Sequence, residues 1–518
     1  MLGSGANTAS ASPKVSRNIA ANFIGTLWTA LMGFGLISVY VRLMGIEAYG
    51  LVGILTTLQA AFTLLDLGLS TATNRELARL SVRTQYIVEA RDLVRTMEAV
   101  YWAIAGIIAI IVTAAAPFLA HHWIRAQTLS AGTVRQAFLI MGIILACQFP
   151  FALYSGGLIG LQRQVLLNAI TVAAVTVRSV GAVLLLAFIS RTIQAFFLWQ
   201  LVATVLQTGA TAFFLWRSLS DAATRPRFRH AIIRRLWRFA AGMMGISFFT
   251  LLLTQVDKVI LSRLLTLEKF GYYTLAAAVA ASLYAIVTPV FTAVFPRFSQ
   301  LVASGDEMAL RTLYHQSCQF VSVLLLPTAL VVALFAREIL QLWTREPDVV
   351  THTHLLVSLL VTGTALNGLM SVPYALQLST GWTRLALYQN VIAVALLMPL
   401  LIWSAQRYGA IGAAAIWVTV NAGYVLIGIQ VMHRRLLRGE KRAWYTRDVG
   451  LPLAGALSVA LVGRWLFPTQ GSAPVTIATL ALVSLSTLIA AGMLTPLTRA
   501  WLQKMLFQKH RPEETYAD

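Results

Sequence analysis

Fourteen stretches of this chain run for about 20 residues each with few charges, and such a pattern leaves very few folds open. In lipid every backbone N–H and C=O must be satisfied within the spanning segment, so repeated apolar runs of this length become membrane-crossing helices. They lie near residues 19–42, 50–72, 97–120, 136–160, 165–189, 195–216, 239–262, 271–296, 316–336, 353–379, 384–405, 410–432, 448–467 and 475–498. Composition agrees. Of 518 residues, 58% are hydrophobic and 11% charged, and mean hydropathy is +0.74. Soluble domains carry about 25% charged residues. The expected fold class is an all-α polytopic membrane protein.

The net charge of +21 would suggest nucleic acid in a soluble protein. Here basic residues at the cytoplasmic ends of helices, facing anionic lipid headgroups, explain it better, so membrane lipids and no nucleic acid are expected as partners. The dense clusters, Arg75 to Arg95, Arg217 to Arg238, Arg434 to Arg447 and Arg499 to Arg511, share one side only if both termini are cytoplasmic. The first apolar run reads as an uncleaved anchor. Cys147 and Cys318 define neither a disulfide framework nor a metal spacing.

One decapeptide occurs twice. Arg42-Leu43-Met44-Gly45-Ile46-Glu47-Ala48-Tyr49-Gly50-Leu51 returns as Arg263-Leu264-Leu265-Thr266-Leu267-Glu268-Lys269-Phe270-Gly271-Tyr272, 221 residues later. Trp123 with Trp343 and Tyr154 with Tyr374 repeat at 220, and Asn168 with Asn390 at 222. Two pseudo-symmetric six-helix bundles are expected, running parallel because each has an even number of spans. The expected organisation is a cytoplasmic tail (1–16), an N-terminal lobe (17–216), a basic linker (217–238), a C-terminal lobe (239–432), two additional helices (433–498) and a second tail (499–518).

Polar residues at helical spacing mark faces turned from lipid. The second run has Thr56, Gln59, Thr63, Asp66 and Ser70; the first has Asn18, Asn22, Thr26 and Thr29. Asn168, Thr171 and Arg178 share a face of the fifth, and Thr250, Thr254 and Asp257, beside Lys258, one of the seventh. Asn367, Ser371, Tyr374, Gln377 and Asn421 extend the pattern. Hydrogen bonds gluing helices together explain any single Thr or Asn. Several stripes from both halves point instead to a shared wet cavity. Arg178, near mid-span, needs water, a carboxylate or an anionic ligand, while Lys258 lies where it can snorkel. Asp257 with Thr254, completed by Asn390 and Asn421, is the leading candidate to hold a coupling cation, Na+ or H+. Asp66 is the second. A salt bridge or protonated carboxyl is the competing role for each.

No zinc-ligand spacing, phosphate-binding loop or nucleophile elbow is present. His121-His122 and His352-Thr353-His354 stand at loop edges without ligand partners. A transporter is expected, and not an enzyme.

The run Glu47-Ala48-Tyr49-Gly50-Leu51, then Leu65-Asp66-Leu67-Gly68-Leu69-Ser70, Asn74-Arg75 and Leu77-Ala78-Arg79, resembles the start of the bacterial polysaccharide-biosynthesis flippases (Wzx type) of the multidrug/oligosaccharidyl-lipid/polysaccharide exporter superfamily. The resemblance implies translocation of an undecaprenyl-pyrophosphate-linked oligosaccharide from inner to outer leaflet of the bacterial inner membrane. Arg178 and Lys258 would then meet the pyrophosphate. Asn22, Gln59, Asn168, Tyr154, Tyr374 and Gln377 would line the glycan cavity, with Arg42 and Arg263 at a periplasmic gate. Other polysaccharide-assembly membrane proteins are possible partners on the same grounds. Members typically have twelve spans, and fourteen are seen in the related lipid II flippases. A lipid II-type flippase and a multidrug-type cation antiporter are therefore alternatives. A membrane glycan polymerase is disfavoured by the duplication and the short outer loops.

Overall fold

The computed structural model describes residues 25, 28–29, 31–66, 68–80, 86–219, 225–234, 255–466 and 472–495. Both tails, Asn22, Thr254 and most of the run at 239–262 lie outside the described residues. Among those described, regular structure is helical, apart from one extended bridge between Arg125 and Thr266. Eleven helices are long and apolar enough to cross a membrane, and Leu31–Met44 is a shorter apolar one. Large apolar side chains point outward, Phe188 at 82% and Trp465 at 84% exposure, as a lipid-facing surface requires. The molecule is an all-helical polytopic membrane protein.

The count of eleven differs from fourteen for physical reasons. The expected spans 384–405 and 410–432 join within one helix, Thr383–Gly423, interrupted at Gly409 (φ 61, ψ −141). Positive φ costs a glycine little, so the chain can turn there. A Cβ added to Gly412 would stand 2.4 Å from the Ser404 carbonyl oxygen. In a straight helix eight residues rise about 12 Å. The chain therefore turns back at Gly409 instead of running straight on. The seventh run is mostly undescribed, and the first is described only in part.

The chain forms two compact units, dividing at Glu268 and Lys269. In the first, Ile46–Thr63 ends in a tight turn at Leu64–Asp66, and Leu69–Leu80 follows after Gly68. Leu69–Leu80 packs closely on Phe151–Gly160 because that helix presents glycines. A Cβ at Gly156 would come within 2.9 Å of the Ser70 carbonyl, and one at Gly160 within 2.6 Å of Asn74's. The second unit repeats the broken helices about 220 residues on. Leu267–Ala281 and Tyr284–Ser304 answer to Ile46–Thr63 and Leu69–Leu80. Pro347–Leu369 and Ser371–Ser379 answer to Ala131–Gln148 and Phe151–Gly160.

The last two helices, Leu451–Leu466 and Ala473–Leu494, lie against Glu307–Leu334. Val483 joins Val331 and Phe335 in a small apolar core. One end is tied by Arg464 Nη1 to Glu338 Oε1 at 2.6 Å. At the other, the ring nitrogens of His315 face Asp448 Oδ2 at 2.5 Å and Glu440 Oε2 at 3.1 Å.

Candidate functional site

Arg178 sits on Gln164–Phe188, which packs against Ile193–Arg217. Gly181 makes the packing possible, since a Cβ there would fall 2.1 Å from the Trp199 ring. The Trp199 indole N–H donates to the Arg178 carbonyl at 3.1 Å. From this backbone the guanidinium reaches across, and Nη2 donates to Gln207 Oε1 at 2.7 Å. Its Nε is buried without a partner, and no carboxylate pairs with Arg178 among the described residues. A half-buried cation that meets only a neutral amide keeps its attraction for an anion. Nearby, Trp28 Nε1 donates to Thr176 Oγ1 at 2.8 Å and Tyr40 OH to the Ser179 carbonyl at 3.1 Å. Asn168, on the same helix, lies beside Gly25, whose added Cβ would meet Asn168 Oδ1 at 3.3 Å.

The remaining expected residues of the first unit are distributed among separate contacts. Gln59 Nε2 donates to Gln148 Oε1 at 2.7 Å. Asp66 accepts from the Tyr101 hydroxyl and from Ser70 Oγ at 2.7 Å, at the start of Leu69–Leu80. Its oxygens thus terminate a helix break. Tyr154 is buried and donates to Glu98 Oε1 at 2.7 Å, which also accepts from Trp216 Nε1 at 3.2 Å. Arg95 Nη1 takes the other Glu98 oxygen at 2.9 Å. Glu98 was missed by sequence reasoning; its one signal was an acidic residue at the mouth of an apolar run.

Lys258 Nζ donates to Gln255 Oε1 at 3.3 Å, and Asp257 is half-buried beside it. Thr254 is undescribed, and Asn390 and Asn421 belong to the other unit. Arg42 ends the helix Ile37–Met44. Arg263 Nη1 donates to the His122 carbonyl at 2.5 Å and lies 5.8 Å from the Trp123 ring. The Glu of the first decapeptide, Glu47, accepts from the Gln127 N–H at 2.5 Å and from the Thr128 N–H at 2.8 Å. Glu47 and Arg263, one from each copy of the decapeptide, thus both contact the segment 122–128.

In the second unit Tyr284 OH donates to Asn367 Oδ1 at 3.0 Å, and Asn367 Nδ2 to Asn421 Oδ1 at 2.8 Å. Asn421 is fully buried and donates onward to the Trp417 carbonyl at 2.8 Å. Asn390 makes no hydrogen bond to this chain of amides among the described residues. Tyr374, 37% exposed, stacks near Phe291 with ring centroids 6.2 Å apart. Gln377 is buried, with Oε1 lacking a partner.

Helical bundles with buried polar faces, an intramembrane cation and no metal-ligand cluster among the described residues are the anatomy of a multi-pass membrane transporter. The family model described as "Polysaccharide biosynthesis protein" matches residues 15–302. The chain belongs to that family, within the superfamily that includes the MatE proteins, whose model matches residues 243–403. These are transporters and not enzymes. A Shigella flexneri protein whose name assigns it provisionally to O-antigen transport is 21% identical over 261 residues. That match spans 50% of this chain and 59% of the relative. Among solved structures, the lipid II flippase MurJ in its inward closed conformation aligns with TM-score 0.70 at 12% identity, covering 95% of this chain and all of that one. An inward-facing multidrug resistance transporter of the MATE family aligns with TM-score 0.61 at 14% identity, covering 81% and 94%. These similarities establish the fold.

Proposed function

We propose that this protein flips an undecaprenyl-pyrophosphate-linked oligosaccharide, a polysaccharide or O-antigen repeat unit, from the inner to the outer leaflet of the bacterial inner membrane. It works by alternating access, with Na+ or H+ at Asp257 resetting the cycle. The observation that carries this reading is Arg178: a guanidinium deep in an apolar helix that, among the described residues, faces one amide oxygen and no carboxylate. Such a group favours an anionic cargo, and phosphate oxygens match guanidinium geometry. A cationic-drug antiporter would instead offer unengaged carboxylates. Asp66 and Glu98 already have donors, from Tyr101 and Ser70 and from Arg95, Tyr154 and Trp216 respectively.

The accompanying topology has fourteen spans and both termini in the cytoplasm. Its lobes are residues 17–216 and 239–432, joined by the basic linker 217–238, with helices added at 433–498. The family assignment and the repeated helix breaks support it. Reconstitution with a fluorescent polyprenyl-pyrophosphate glycan tests the function. Leaflet exchange should require the protein and collapse in Arg178→Ala; exchange that persists in this variant would refute the reading.

A further inference from the structure

A second site lies in the other unit, apart from everything above. A cavity of about 880 Å³ opens between the short helix Ala336–Thr344 and the first turn of Ala473–Leu494. Its size is that of a small-molecule pocket. Four helices share this end of the unit: Glu307–Leu334 and Leu451–Leu466 finish here, and Pro347–Leu369 and Ala473–Leu494 begin here.

Arg337 and Arg345 line the cavity, both exposed, with the half-buried Glu346 on the same wall, and neither arginine forms an ion pair among the described residues. Glu338 lies between them in sequence and also lines it, yet is only 5% exposed. Glu338 Oε1 receives Arg464 from the penultimate helix, while Oε2 is buried with no hydrogen-bond partner. Arg464 is in turn seated 5.4 Å from the Phe335 ring. A buried carboxylate oxygen left without a donor is costly, and such atoms mark places where a missing group belongs. Thr351 and Thr476 add hydroxyls to the wall.

The two guanidiniums call for an anionic group, and the spare Glu338 oxygen calls for a hydroxyl donor beside it. A neutral sugar would leave the arginines idle. A simple anion would meet Glu346 as well as the arginines and would leave the Glu338 oxygen without a donor. We infer that this pocket binds an anionic saccharide, a sugar carrying a phosphate or carboxylate. In the fourteen-span topology the pocket faces outward, so its occupant there would be the head of a delivered glycan; that last step rests on the proposed function. The pocket also gives the two added helices a task, because the Ala473 turn lines it and Arg464 holds Glu338 in its wall.

The test is saturation-transfer NMR on the purified full chain in micelles, with glucose 1-phosphate, glucuronate, glucose and inorganic phosphate as probes. Glucose 1-phosphate and glucuronate should bind, with glucose and inorganic phosphate at least about tenfold weaker, the loss of one good contact. Glu338→Gln and the exposed Arg345→Gln should each weaken glucose 1-phosphate by about tenfold, while Arg407→Gln, an exposed arginine outside the cavity, should not. Equal binding of inorganic phosphate, or glucose 1-phosphate binding unchanged in Arg345→Gln, would overturn the inference. So would no binding by a protein that still flips its lipid-linked glycan, and that result would leave the proposed function standing. In proteoliposomes, slower flipping by Arg345→Gln identifies the lipid-linked glycan as the occupant; unchanged flipping with weakened binding identifies a soluble sugar.

Discussion

Gly50 lies against the carbonyl of Leu267, so closely that a Cβ on Gly50 would stand 2.5 Å from that oxygen. Both residues belong to copies of the duplicated decapeptide, and the two copies touch. Gly50→Ala should therefore destabilise the protein by about 1–3 kcal/mol, the usual range for overpacking a tight contact. Thermal unfolding in detergent would show it, and an unchanged midpoint would mean the backbones separate easily.

Arg178 offers the sharpest functional prediction. Arg178→Ala should abolish leaflet exchange with normal membrane insertion. Arg178→Lys should retain only part of it, because an ammonium keeps the charge and loses the two-pronged geometry. Full activity in the lysine variant would reduce the site to a point charge.

Asp257→Asn should weaken the dependence of transport on the ion gradient while leaving equilibrium exchange of the labelled lipid in place. Flux measured with and without a Na+ or pH gradient separates the two. An identical gradient response in variant and parent would assign Asp257 a structural role.

His315→Ala should loosen the added helices, since it strips a partner from Asp448, which is 1% exposed, and from Glu440. Removing one member of a buried pair typically costs about 3–5 kcal/mol. Limited proteolysis should then cut between residues 436 and 450, and resistance equal to the parent's would contradict this reading of the His315 contacts.

A cysteine introduced in the linker 217–238 should react with an impermeant maleimide only when the cytoplasmic side is exposed. Labelling of intact cells would reverse the topology.

The amino-acid sequence by itself determined that the chain lives in a membrane as a helical bundle, and it marked most polar faces. Those properties rest on composition and on spacings of three and four residues, which any helix turns into a stripe. It also exposed the duplication, because Glu47 and Glu268 sit in matching words. It could not supply the partners of those polar groups. Asp66 reads from its spacing as a second cation-ligand candidate, and only the fold shows that Tyr101, 35 residues away, donates to it. Glu98 gathers Tyr154 and Trp216 from 56 and 118 residues away, and His315 meets Asp448 across 133. Arg178 was legible as a buried charge, but its partner, Gln207, comes from the neighbouring helix. Helical periodicity is a local property of the chain, whereas the partner of a buried charge depends on which helices pack together. Only the tertiary structure decides that.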